Sequence, residues 1–468
     1  MSAVSRSDEN SPPRLFGTDG VRDRFGQGLL APECVERIFG ATASTLERAD
    51  EFPNDFQQLS GRRVLVGRDT RASGRTLLEI AARALGAYGY QVVDVGVLPT
   101  PGVAYLARSW EGVCLGVVIS ASHNPAEYNG IKFFAPTGAK VSPEFERAVE
   151  SECAAINARA SAGEQAVDDE CVAARRDYVA YLVGSCWRPE RLTGRSVLLD
   201  AAHGAAYEVA PQVFERLGMK VELRGASPDG ENINDGVGAL YPDRLAKGVK
   251  RANADVGFCF DGDGDRMIPI TGAGTVLDGD HVLALAGKHL LKSDRLPLCS
   301  VVATVMSNVG LEVYLKSQGI ELLRTDVGDR NVYLEMVAGP HPVGGEQSGH
   351  TIFLDDASTG DGILSGLRLL DVLESDDLDL EGESRVMQRF PQVLKNVEVA
   401  EKLPFEKLSG VLEAVQTVEA QLEGMGRVLL RYSGTEPLAR VMVEGPDRKT
   451  TDEYTDRICE TIRRASIK

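Results

Sequence analysis

Arg63-Val-Leu-Val-Gly67, the helix-patterned run Ser73–Tyr88 and Gln91-Val-Val-Asp-Val95 decide the fold. The first piece is short and rich in β-branched residues. The run after it puts Leu77, Ile80, Ala81, Ala84 and Leu85 on one helical face, and Gly89 stands where a helix stops before a new strand. Strand, helix, glycine cap and strand in that order predict a βαβ unit. The plan recurs twice. Ser196–Asp200, the helix Tyr207–Leu217, Gly218 and Lys220–Leu223 form a second copy; Val301–Val305, Gly310–Ser317, Gly319 and Ile320–Leu323 form a third. The expected class is α/β: three related α/β/α domains with mixed sheets plus a smaller C-terminal α+β domain, arranged round a central cleft.

A chain of 468 residues is too long for one ordinary core. The expected division is a flexible N-terminus (1–13), domain 1 (14–170), domain 2 (171–270), domain 3 (271–375), a linker (376–386) and domain 4 (387–468). The acidic stretch Glu374–Ser384 marks the linker. With 51 basic and 69 acidic residues, the net charge of −18 argues against a nucleic-acid or anionic-membrane surface. No apolar run approaches the roughly 18 residues of a membrane span. Eight cysteines form no CxxC pair and no signal peptide is evident, so reduced thiols in a cytoplasm are expected. The chain is expected to act as a monomer or homodimer.

Each unit leads to a polar loop. After the first come Val113–Ile119 and Ser120-Ala-Ser-His-Asn-Pro125. After the second come Ala254–Phe260 and Asp261-Gly-Asp-Gly-Asp-Arg266. After the third comes Gly344-Gly-Glu-Gln-Ser-Gly-His350. Ligands of open α/β sheets collect at the carboxyl ends of strands, so the three loops are expected to share one cleft.

Asp261, Asp263 and Asp265 alternate, with glycines between them that let the backbone fold the carboxylates round a common point. Carboxylates ~4 Å apart repel by roughly 4 kcal/mol per pair at an effective dielectric near 20, which calls for a cation. Oxygen ligands favour a hard ion, Mg²⁺ or Ca²⁺. An EF-hand beginning at Asp261 needs Gly at its sixth position and Glu at its twelfth. Those positions hold Arg266 and Gly272, so that reading fails. Arg266 beside the carboxylates suggests that a second anion, such as a phosphate, visits the site. Ser122 lies just past a strand in a turn set by Asn124-Pro125; phosphorylated, it can both ligate the metal and donate its phosphoryl group. His123 suits hydrogen bonding or catalysis, and Lys132 proton transfer or phosphate binding. No GxxxxGK[ST] or complete GxGxxG occurs, which disfavours nucleotide-driven phosphoryl transfer and dinucleotide redox chemistry. Near the C-terminus, Arg431, Ser433, Gly434 and Thr435, with Arg440 beyond them, form a plausible phosphate cradle.

Four loops together, Ser120–Pro125, Asp261–Arg266, Gly345–His350 and Arg431–Pro437, resemble the signature loops of the α-D-phosphohexomutases. The opening Phe16-Gly-Thr-Asp-Gly-Val-Arg22, Thr304-Val-Met-Ser-Asn308 and Val327-Gly-Asp-Arg330 are similar to the phosphoglucosamine mutase branch. The resemblance runs in order from about Leu15 to Glu444. It implies that Ser122 is a phosphoserine and that Asp261, Asp263 and Asp265 hold one Mg²⁺ together with its phosphate. It further implies that Glu346 and Ser348, with Gln347 between them, bind the sugar. Arg431, Ser433, Gly434, Thr435 and Arg440 would grip the distal phosphate. Arg22, His123, Lys132, Arg266 and His350 would line the reacting end.

The implied reaction interconverts glucosamine 6-phosphate and glucosamine 1-phosphate through a 1,6-bisphosphate, feeding UDP-N-acetylglucosamine and cell-wall precursor synthesis. Glucose or glucosamine 1,6-bisphosphate is the implied activator. A phosphomannomutase or phosphoglucomutase is the alternative. Relatives acting on unaminated hexoses often carry Met where this chain has Gln347, which favours the amino sugar. Asp23 departs from the family's usual Gly and adds a carboxylate beside Arg22.

Overall fold

The expected parallel pair is present: strands Arg63–Arg68 and Gln91–Val97 lie side by side, joined by the helix Gly74–Gly86. The computed structural model describes residues 15–17, 19–56, 61–155, 166–423, 425–433 and 437–466, so the 1–13 segment lies outside the described residues. Leu77, Ile80, Ala81, Ala84 and Leu85 are all buried, as their helical spacing requires.

The three βαβ units grow into sheets of one topology. In each, a third strand pairs in parallel with the first, and a fourth returns antiparallel on its outer side. Domain 1 orders Tyr128–Phe134, Val113–Ile119, Arg63–Arg68 and Gln91–Val97, with Val21–Arg24 and Asp168–Asp169 added at the edges. Domain 2 orders Met267–Thr271, Val256–Phe260, Ser196–Asp200 and Lys220–Arg224. Domain 3 orders Thr351–Phe353, Val343–Gly345, Ser300–Thr304 and Glu321–Thr325. The hairpin between third and fourth strands is the equivalent place in every sheet. It carries Ser122 in domain 1, the aspartates in domain 2 and Glu346–His350 in domain 3.

Domains 1 to 3 share a continuous apolar core. Val103, Tyr178, Phe214, Phe258, Leu283 and Leu367 belong to a single cluster. Domain 4 has its own core, built from Val397, Val411, Val441, Ile458 and Ile462. Its sheet is antiparallel, with Leu438–Glu444 between Gln392–Glu398 and Arg427–Tyr432. Hydrogen bonds cross the seam to domain 3: Asn308 Nδ2 donates to the Phe390 carbonyl (2.9 Å), buried Glu444 accepts from the Val309 amide (3.2 Å), and Gln392 donates to the Met306 carbonyl (3.4 Å). The segment read as a linker starts inside a helix. Gly362–Asp376 continues through Glu374 because Leu369, Leu370 and Leu373 prolong its buried face, and Leu380–Glu383 adds one further helical turn.

Candidate active site at the junction of three hairpins

Ser122 is buried and holds its backbone at φ +50°, in the left-handed region. Its hydroxyl donates to Asp261 Oδ2 at 2.7 Å and lies 3.4 Å from His123 Nδ1. The first and second loops therefore meet at the predicted serine and the first predicted aspartate. Their glycines make this approach possible. A Cβ on Gly262 would sit 2.7 Å from Asn234 Nδ2 and 2.5 Å from the Ser122 carbonyl oxygen, and Gly264 adopts φ +71°.

Asp261, Asp263 and Asp265 are all buried, and each offers an oxygen within 4.8 Å of the others. Asp263 Oδ1 and Asp265 Oδ1 are buried, with no hydrogen-bond donor among the described residues. Oxygens of this kind fit a hard divalent cation. Burial, then mutual repulsion, pushes Asp261 and Asp265 above the usual carboxylate range. Burial acts on Asp263 in the same direction, but Lys132 overrides it and holds this carboxyl below the usual range.

Lys132 is the hub of the charged cluster. Its Nζ lies 2.9 Å from Asp263 Oδ2, 2.8 Å from Asp19 Oδ2 and 3.9 Å from Asp265 Oδ2. Burial opposes its charge, yet Asp19, Asp263 and Asp265 together hold the ammonium above its usual range. It is a fixed cation. Arg22 donates to Asp19 (3.1 Å) and to Asn124 Oδ1 (3.4 Å). Arg266 anchors its own loop by donating its amide to Asp261 Oδ1 (3.2 Å). His123 is driven the other way: burial, then Arg266 and Arg22, bring it down to about 4, so it is a neutral imidazole at pH 7.

The third hairpin closes on the second. Met267 N donates to the Gly349 carbonyl (3.1 Å), and His350 Nε2 lies 3.9 Å from Asp265 and 3.6 Å from Asp329. The Gly360 amide donates to His350 Nε2 (3.2 Å). Glu346 accepts from the Gly328 amide and from Ser348 Oγ, both at 3.2 Å. Gln347 behaves differently from its neighbours. Its amide donates to fully buried Asp280 (3.1 Å), the carboxylate that also accepts from the Asn308 amide (2.8 Å).

In domain 4, Arg431 and Arg440 sit directly opposite on neighbouring strands. Burial, then Arg440, lowers the Arg431 guanidinium. Arg440 donates to Ser433 Oγ (3.3 Å), and Lys402 donates to the Ser433 carbonyl (2.7 Å). Gly434 and Thr435 lie outside the described residues. Asp23 turns away from this chemistry: it accepts from the Leu29 amide (2.9 Å) and the Arg24 amide (2.7 Å), fastening a turn.

Sequence reading assigned no role to Asp19, Thr100, Lys140 or Asp329. Thr100 donates to Asp263 Oδ2 (2.7 Å), and Lys140 bridges Asp19 and Asp329. Asp19 and Asp329 fall inside the quoted Phe16–Arg22 and Val327–Arg330 motifs, which was the available signal. Thr100 and Lys140 carried none.

Four family models match in order: phosphoglucomutase/phosphomannomutase α/β/α domains I (residues 13–160), II (176–274) and III (278–390), then the C-terminal domain (394–461). A phosphoglucosamine mutase of Desulfotalea psychrophila is 42% identical over 458 residues, covering 97% of this chain and 99% of the relative. One from Solidesulfovibrio magneticus is 43% identical over 460 residues, covering 97% and 99%. Among solved structures, a phosphoglucomutase/phosphomannomutase family protein from Burkholderia thailandensis aligns with a TM-score of 0.76 at 24% identity, over 97% of both chains. An Aspergillus fumigatus N-acetylphosphoglucosamine mutase, solved with GlcNAc-6P and magnesium, aligns with a TM-score of 0.65 at 16% identity, over 97% of this chain and 96% of that one. With four domain models matched in order and near-full-length relatives at this identity, the chain belongs to the phosphoglucomutase/phosphomannomutase family, the α-D-phosphohexomutases, on its phosphoglucosamine mutase branch.

Proposed function

We propose that this chain interconverts glucosamine 6-phosphate and glucosamine 1-phosphate, with Ser122 as the phosphoryl carrier. The observation that carries the reading is Ser122 Oγ at 2.7 Å from Asp261, inside a buried triple-aspartate cluster that faces the fixed cation Lys132. The likeness to phosphoglucosamine mutases supports the amino sugar over glucose or mannose.

Ser122, when phosphorylated, gives its phosphoryl group to the free hydroxyl of the bound sugar phosphate. The Ser122 Oγ–P bond breaks, a sugar O–P bond forms, and the hydroxyl proton leaves to a nearby base. The 1,6-bisphosphate then turns over in the cleft. Ser122 Oγ takes the other phosphoryl group, and the freed sugar oxygen regains a proton. Asp261, Asp263 and Asp265 would hold one Mg²⁺, which when bound neutralises charge on the transferring phosphoryl group. Lys132 adds a fixed positive charge beside that group, and its carboxylate partners keep it from acting as a base. His123 is neutral and next to Ser122 Oγ, where burial, Arg266 and Arg22 oppose its protonation and suit it to hydrogen bonding. Arg22, Arg266 and His350 line the same end. Glu346 and Ser348 present acceptors to sugar hydroxyls, while Gln347 shapes that loop through Asp280. Arg431, Ser433, Gly434, Thr435 and Arg440 grip the phosphate that is not reacting. Burial of Ser122 protects the phosphoserine from water.

A sugar 1,6-bisphosphate would prime or reprime Ser122. All eight cysteines are free thiols, which suits a cytoplasmic setting. No helix among the described residues is long and apolar enough to cross a membrane.

The decisive experiment compares kcat/KM for the 6-phosphates of glucosamine, glucose and mannose on one preparation, with mass spectrometry of Ser122. Highest kcat/KM for the amino sugar and phosphate on Ser122 are expected. Phosphate release without isomer formation would identify a hydrolase and overturn the mutase reading.

A further inference from the structure

Resting on the phosphoserine reading above, we propose that Arg71, with Asp69 and Asn234, is a positioning clamp that fixes Ser122 for phosphoryl transfer. None of the three belongs to the loops from which the site was read.

A residue with a side chain at φ +50° sits in a sparsely populated conformation that persists only where the surroundings impose it. Here the surroundings are specific. The Arg71 side chain is fully buried and spends its fork on the serine loop: Nη2 donates to the carbonyls of Ser122 (3.0 Å) and Asn124 (2.7 Å), and Nη1 donates to that of Pro125. Its Nε donates to Asp69 Oδ2 at 2.9 Å. The same carboxylate oxygen accepts from Ser120 Oγ (2.6 Å), and Ser120 Oγ in turn accepts from the Ser122 amide (2.9 Å). Both backbone polar groups of Ser122 are thus held through one ion pair.

The second domain supplies the other jaw. Asn234, itself at φ +61°, donates from Nδ2 to the carbonyls of Ser122 (2.9 Å) and Asn124 (3.2 Å). The clamp also straddles the seam between the two domains, since Ala72 N donates to the Gly230 carbonyl at 3.0 Å. Four acceptors take up four of the five N–H donors of the guanidinium, and all of them are protein groups. Arg71 therefore has no free fork to offer a substrate phosphate. Its effect on chemistry passes through Ser122, whose Oγ must meet the phosphoryl group beside the aspartates. A displacement of about 1 Å at such a point costs on the order of a hundredfold in rate.

Two variants test the clamp. Asn234→Gly removes two donors while keeping a backbone that tolerates φ +61°. Arg71→Lys keeps a charge beside Asp69, but one ammonium cannot span four acceptors. Each is measured for kcat and KM with glucosamine 6-phosphate, for melting temperature, and for the lifetime of radiolabelled phosphate on Ser122. The expected result is a fall in kcat of about tenfold or more with KM changed less than about twofold, together with faster loss of label to water. A lower melting temperature with kcat per folded molecule and label lifetime unchanged would overturn the proposal. If Arg71→Lys does not fold, Asn234→Gly decides alone: kcat within about twofold of the parent overturns the clamp. Failure of the underlying reading looks different, since an active parent enzyme would then carry no phosphate on Ser122.

Discussion

Replacing Lys132 by Met keeps an unbranched side chain one atom shorter and deletes its charge. The ammonium faces Asp19 at 2.8 Å, Asp263 at 2.9 Å and Asp265 at 3.9 Å. At an effective dielectric near 20 those attractions amount to roughly 6, 6 and 4 kcal/mol. Desolvation of the buried ion offsets most of that, and breaking a buried pair by removing one partner typically costs about 3–5 kcal/mol net. In chelator, Lys132→Met should therefore melt several degrees lower than the parent, the shift being moderated by the large cooperative unit that the shared core creates. A divalent cation should reverse part of this loss. With no fixed positive charge opposite them, the aspartates bind a cation more tightly, and tighter binding to the native state raises stability more at a given concentration. Differential scanning fluorimetry of parent and variant, each titrated with Mg²⁺ from a chelated start, reads both effects. If Mg²⁺ raises the variant's melting temperature no more than the parent's, the charge balance argued for Lys132 and the aspartates is wrong.

Ser122→Gly should lose nearly all mutase activity yet melt no lower than the parent, because glycine adopts φ +50° without strain; retained turnover in a coupled assay would refute the carrier role. Asp361 is pushed up to about 6, by burial first and then by Asp356, against hydrogen bonds from the Leu364 amide and Tyr178. Its folded-state value lies above the unfolded one, so its stabilising contribution is complete below about pH 4 and is lost as pH rises through about 6, on the order of 3 kcal/mol in all. Asp361→Asn should accordingly gain on the parent in melting temperature between pH 5 and 7.5; an unchanged difference across that range counts against the assignment. Arg431→Ala should raise KM about 10- to 100-fold, as expected for losing charge-assisted hydrogen bonds to phosphate, and should release more 1,6-bisphosphate per product in rapid quench. A slow variant that releases no extra bisphosphate would show that Arg431 does not retain the intermediate.

The parts of this architecture visible in the sequence are those set by local pattern. Helical spacing of Leu77, Ile80 and Leu85 and the capping glycines locate the βαβ units, and alternation of Asp261, Asp263 and Asp265 marks the buried carboxylate cluster that could hold a cation. What stayed hidden depends on distance along the chain. Lys140 and Asp329 are 189 residues apart and meet only because domains 1 and 3 pack together. Arg71 looks like any arginine in a turn until the fold brings Ser122 onto it. The direction of a side chain was equally invisible: Gln347 sits between two cleft residues but points to Asp280, and Asp23 serves a turn. The acidic stretch Glu374–Ser384 also hid two helical pieces, since the Gly362–Asp376 helix runs on through Glu374 and Leu380–Glu383 adds a turn.

The division of cores suits the chemistry proposed. Domains 1 to 3 supply Ser122, the aspartates and the sugar loop, and their relative placement must hold to fractions of an ångström during transfer; a shared apolar core resists such displacement. Domain 4 supplies only a phosphate grip. It has a core of its own and meets domain 3 through the hydrogen bonds Asn308–Phe390, Val309–Glu444, Gln392–Met306 and Arg427–Ser307. Groups of that kind exchange protein partners for water at small net cost, whereas separating apolar faces costs about 25 cal/mol for every Å² exposed. A substrate that must enter, turn end over end and leave needs one wall that moves. The wall joined by exchangeable polar contacts is the one carrying Arg431.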